Sequence, residues 1–79
     1  MSVIVYYRPT SDRIAVRAAN SSTVKALKRV FGDLPLTLGD EDLELLKAMM
    51  LSFDQEPNPY EQLVEALRQH GAIHVWTEY

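Results

Sequence analysis

The chain has 79 residues, 47% of them hydrophobic and 24% charged, which are the proportions of one ordinary folded domain and not of a disordered chain. It holds no cysteine, so disulfides, zinc–thiolate sites and thiol nucleophiles are excluded together, and a secreted domain this small would usually carry disulfides. The formal net charge of −3 is unevenly spread: residues 1–32 hold six basic groups (Arg8, Arg13, Arg17, Lys25, Lys28, Arg29) against Asp12, while residues 33–79 hold Lys47 and Arg68 against ten acids. Such a split makes a dipole if the halves occupy different sides of the fold, and cancels if they interleave.

Met1 to Tyr7 is a short apolar run with no basic residue before it and Arg8-Pro9 directly after it. It reads as a strand, not as a signal peptide or membrane span, and the expected location is the cytoplasm, of a cell or of an infected cell. Ser2 to Tyr7 is β-branched and aromatic on both faces, which suits a central strand. Pro9-Thr10-Ser11-Asp12 supplies turn chemistry, and Arg13 to Ala19 alternates with Ile14, Val16 and Ala18 on one side, so a hairpin is expected. Asn20-Ser21-Ser22-Thr23 offers helix N-caps. Val24, Leu27, Val30 and Phe31 then recur at helical spacing until Gly32, with Lys28 and Arg29 where the helix dipole favours cations. Leu34, Leu36 and Leu38 alternate around Pro35, the pattern of an edge strand or extended connector.

Thr37 to Asp40 is expected to open a second helix, whose first turns carry Asp40, Glu41, Asp42 and Glu44. Leu43, Leu45, Leu46, Met49, Met50 and Phe53 cover more than half its circumference, so it is either well buried or partly covered by another chain. After a loop at residues 54–57, Asn58-Pro59-Tyr60-Glu61 reads as N-cap, first-turn proline and capping-box glutamate. Tyr60, Leu63, Val64 and Leu67 form that helix's stripe and Gly71 ends it. Residues 72–79 make a last strand, with Ile73, Val75, Thr77 and Tyr79 on one face and His74, Trp76 and Glu78 on the other.

The order β-β-α-(β)-α-α-β predicts a single α+β domain over residues 1–79: a small three- to four-stranded sheet with the first strand in the middle and the helices packed mainly on one face. Catalytic and cofactor motifs are missing from the sequence. Gly32, Gly39 and Gly71 stand singly, which removes phosphate-binding glycine loops, and no nucleophile motif surrounds any serine. His70 and His74 are four apart, but Gly71 breaks the helix between them, so no metal site is assigned. Neither enzymatic activity nor a cofactor is expected.

Three sets of residues are candidates for contact with other molecules. Strand parity puts Tyr6, Arg13, Arg17, His74 and Trp76 on the sheet face away from the helices, where aromatics beside cations suit a protein partner or stacked bases; the alternative is that a helix covers this face and Trp76 is core. Asp40, Glu41, Asp42 and Glu44 either compensate a helix dipole or draw in a basic partner surface. Met49 and Met50 with Leu45, Leu46 and Phe53 are core at this spacing, or a soft docking groove. The leading expectation is a non-enzymatic protein-binding module that regulates or inhibits a larger partner, of the kind that phages and mobile elements direct against host defence (anti-CRISPR-like) complexes. A single-stranded nucleic-acid binder using the aromatic and arginine face is the first alternative, disfavoured by the net negative charge. A self-associating subunit or homodimer built on the oily second helix is the other.

Overall fold

Alternating β-branched and aromatic residues give strands here because one set of side chains can enter a core while the other faces away. In a computed structural model, which describes residues 4–8, 14–16 and 21–78, the chain runs β1 (Ile4–Arg8), β2 (Ile14–Val16), α1 (Ser21–Phe31), β3 (Leu36–Gly39), a 3-10 turn (Asp40–Asp42), α2 (Leu43–Ser52), α3 (Pro59–His70) and β4 (Ala72–Glu78). The small α+β class read from the sequence holds. The four strands hydrogen-bond in the order β2-β1-β4-β3, every pair antiparallel. The turn expected at 9–12 and the outer ends of the first two strands, with Arg13 and Arg17, lie outside the described residues.

Register fixes the faces. Val5 pairs with Val16 and Thr77, Leu36 with Val75, and Leu38 with Ile73. Directly opposed residues share a face, and Val5, Leu38, Ile73 and Val75 are all sealed from solvent. They join Val24 and Leu27 of α1, Leu46 of α2, and Tyr60, Leu63, Val64, Ala66 and Leu67 of α3 in one buried cluster. All three helices therefore contribute to the layer on this face of the sheet.

The helix ends follow local chemistry. Gly71 stops α3 with φ 77°, and its N–H bonds the Leu67 carbonyl at 2.9 Å, the left-handed cap that glycine adopts without a Cβ clash. Asn58 caps the start of α3 by accepting from the Tyr60 N–H at 3.1 Å, ahead of Pro59 at the first helical position. The capping box expected with Glu61 is not how this end is tied: the Asn58 side chain serves the second N–H of the helix, and its amide nitrogen turns to α2 instead.

The second helix departs most from expectation. Residues 37–39 do not open it but complete β3, with Thr37 opposite His74 and Gly39 opposite Ala72. The helix starts only after the 3-10 turn. The reason is that Leu36 and Leu38 alternate into the core against Val75 and Ile73, so extended pairing continues as far as Gly39. There the Asp42 carboxylate accepts the Gly39 N–H at 2.9 Å and turns the chain.

Candidate interaction surfaces

Two surfaces stand out, one on each side of the sheet. The first is the face opposite the helices. Its centre is the register pair Tyr6–Trp76 on β1 and β4; next along come Arg8 opposite His74 and Thr37 opposite His74, running to the β3 edge. His74 and Thr37 are exposed and Trp76 is half-buried. A hydrogen bond of 2.8 Å between Thr37 Oγ1 and His74 Nδ1 ties β3 to β4 on this face and fixes the imidazole, leaving Nε2 as the ring's remaining polar atom. An antiparallel sheet covered on one side only leaves such a face to solvent. Of the residues assigned here from sequence, the structure brings His74, Trp76 and the register position of Tyr6 together, whereas Arg13 and Arg17 are outside the described residues.

The acids Asp40, Glu41, Asp42 and Glu44 do not act as one set. Asp42 is used in the turn, bonded to Gly39. Glu44 pairs with Lys47 at 3.5 Å, one turn along α2, an exposed pairing of small energetic weight. The Glu41 carboxylate lies over Gly39, so that a Cβ built there would come within 2.9 Å of Oε2. Asp40 and Glu41 are exposed.

The second surface was not fully legible from sequence. Of the six apolar residues assigned to the stripe of α2 from sequence, only Leu46 is sealed in the core; Leu43, Met49, Met50 and Phe53 are half-buried, and Leu45 remains 52% exposed. Leu51 is 80% exposed, and Val30 on α1, expected in that helix's buried stripe, is 40% exposed. Val30 and Leu45 stand on opposite walls of an open groove of about 350 Å³ between α1 and α2, with Ala26 and Arg29 on one wall, Met49 on the other, and Phe53 and Tyr60 at one end. The sequence signal was present in the breadth of apolar residues on α2, but the assignment of those residues to the core absorbed it.

Tyr60, a buried residue lining this groove, carries a hydroxyl. Burial raises its pKa above the usual phenol value, and a side-chain hydrogen bond with buried Thr23 opposes part of that rise. The Tyr60 ring meets Phe53 edge-on, with centroids 5.6 Å apart. Among the described residues, no three histidines, aspartates or glutamates are grouped so that they could hold a metal ion, and no helix is long and apolar enough to cross a membrane.

Together these features define a two-layer α+β domain with an antiparallel four-stranded sheet, helices on one face, and a polar–aromatic surface on the other. No known protein family, curated protein or solved structure matches the chain.

Proposed function

We propose that the chain is a small protein-binding module, without catalytic activity of its own, that regulates or inhibits a larger partner by laying the sheet face around Trp76 against it. The observation that carries this reading is the half-buried Trp76 flanked by exposed His74 and Thr37 on the uncovered side of the sheet. A large aromatic with a polar rim, held on rigid antiparallel strands, has the composition of a binding hot spot, since burying its remaining surface releases water and its neighbours supply directed hydrogen bonds. Thr37 and His74 are open to water and bonded to one another, which suits recognition better than the sheltered acid–base geometry that catalysis uses. A protein partner is favoured over single-stranded nucleic acid because the chain carries a net charge of −3, and nucleic-acid affinity depends on neutralising phosphates with cations. The small inhibitors that phages and mobile elements direct against host defence complexes are one group with this profile.

A photo-crosslinking residue at the exposed position Thr37 tests the reading in a lysate of the native cell. The expected result is a stoichiometric protein adduct that disappears when Trp76→Ala is added, while Leu45→Glu on the helical side leaves it intact. An adduct indifferent to Trp76→Ala, or retention of single-stranded oligonucleotide at low salt that Trp76→Ala abolishes, overturns it.

A further inference from the structure

The helical side of the molecule carries a separate inference, independent of the sheet face. We propose that the α1–α2 groove is the contact surface of a homodimer, in which a two-fold axis along the groove lays α1 of each copy on α2 of the other.

Its apolar centre is Val30 and Leu45, two of the three large hydrophobic side chains exposed among the described residues, set on facing walls above Met49. A chain of 79 residues buries a smaller fraction of its unfolded surface than a larger domain does, and gains correspondingly more from covering such a patch. The choice of a second copy as occupant comes from charge. Residues 21–31 contain Lys25, Lys28 and Arg29 and no acid; residues 40–44 contain Asp40, Glu41, Asp42 and Glu44 and no base. Lys25, Lys28, Arg29, Asp40 and Glu41 are all exposed, and among the described residues none of the three cations pairs with an acid of this set; the ion pair that Glu44 makes is with Lys47 of its own helix. Among the described residues, these two complementary charges are thus not paired with one another.

Their positions along the groove select the symmetry. Thr23, in the first turn of α1, bonds with Tyr60, whose ring packs on Phe53 at the end of α2. The start of α1 is therefore beside the end of α2, and the end of α1, with Lys28, Arg29 and Val30, lies level with Leu45 and the acidic start of α2. A two-fold axis along the groove keeps those levels and exchanges the walls, so the cations of one copy meet Asp40 and Glu41 of the other on both sides of a Val30–Leu45 centre. A two-fold across the groove would stack α1 on α1, cation against cation. Charge repulsion rejects that arrangement, and an isologous contact admits the first.

Analytical ultracentrifugation of the whole chain, over a range of concentrations and at two salt levels, tests this. The expected result is a monomer–dimer equilibrium that weakens as salt rises. Leu45→Glu, at an exposed position that does not support the core, raises the dissociation constant by about tenfold or more, with the circular dichroism melt showing a folded monomer. Arg29→Glu and the double variant Asp40→Lys/Glu41→Lys each weaken the dimer alone, and a mixture of the two restores association as a hybrid. A monomer at every concentration overturns the proposal, as does a dimer that ignores Leu45→Glu or a mixture of the charge-reversed chains that stays monomeric. None of those failures touches the sheet-face reading, which is scored by crosslinking at Thr37.

Discussion

The Asn58 amide nitrogen donates to the Met50 carbonyl at 2.9 Å, so the residue that caps α3 also satisfies a carbonyl in the last turn of α2. Its Oδ1 accepts the Tyr60 N–H. One side chain thereby fixes the angle between two helices and holds Tyr60 where it can reach both Phe53 and Thr23. Replacement by alanine removes these bonds, together with a longer one from Nδ2 to the Phe53 carbonyl at 3.5 Å, and leaves the Tyr60 N–H without its cap, so Asn58→Ala is expected to lower unfolding free energy by about 2 kcal/mol. Asn58→Asp keeps the acceptor, loses only the donor, and gains from the helix dipole; a loss of about 1 kcal/mol or less is expected. Urea denaturation of the two variants separates the cap from the tether. Equal losses would show that the Tyr60 cap carries no weight, and an Asn58→Asp variant as stable as the parent would show that the Met50 bond carries none.

Tyr60 gives the fold an alkaline limit. Its folded pKa is raised by burial, against the opposing effect of the Thr23 bond, so the native state holds the phenol proton more tightly than the unfolded chain does. Stability from this group is full below the unfolded value of about 10 and is lost as pH rises from there through the folded value. Tyr60→Phe is expected to be less stable at neutral pH, because buried Thr23 loses a partner, yet to show a shallower fall in melting temperature above that pH. The comparison of melting temperature against pH for the two proteins checks the sign. A wild-type curve no steeper than that of the variant contradicts the assignment.

Capping and alternation were legible in the sequence because they act over a few residues. Asn58-Pro59 and Gly71 bounded α3 where the structure does, and the alternation of Ile73 and Val75 against His74 picked out the strand face that enters the core. The start of α2 was misread because three acids before an apolar run look like a dipole-compensated helix end, whereas β3 claims residues up to Gly39 through pairing with β4, a partner distant in the chain. The exposure of Leu45 and Val30 was hidden for a related reason. Helical periodicity says which residues share a side of a helix, but not how closely the next helix approaches, and here α1 and α2 stand apart across a groove.

The αL turn at Gly71 supports a third prediction. A Cβ added there meets nothing within 4 Å, so the cost of Gly71→Ala comes from the backbone at φ 77° and not from a clash. About 1 kcal/mol of destabilisation is expected, with Gly71→Asn losing less because asparagine tolerates this region. Thermal melts of both variants check the order. Alanine as stable as glycine would mean that the cap opens without cost, and with it the junction that leads α3 into β4 and the strand bearing His74 and Trp76.

Trp76 is the only tryptophan in the chain, so its emission reports the sheet face alone. Half-buried in the free molecule, it is expected to be accessible to acrylamide and to emit at a wavelength between those of a sealed and a fully hydrated indole. Raising the protein concentration through the dimerisation range covers Val30 and Leu45 on the helical side, which the sheet separates from Trp76, and is expected to leave both emission and quenching unchanged. Addition of the crosslinked partner is expected to do the opposite: a blue shift and a quenching constant reduced about threefold or more, as in the desolvation of an interface hot spot. The two titrations assign the two surfaces separately. If self-association shifts the tryptophan, the second copy sits on the sheet; if the partner leaves it unmoved, the face bearing Thr37, His74 and Trp76 is not where that partner binds.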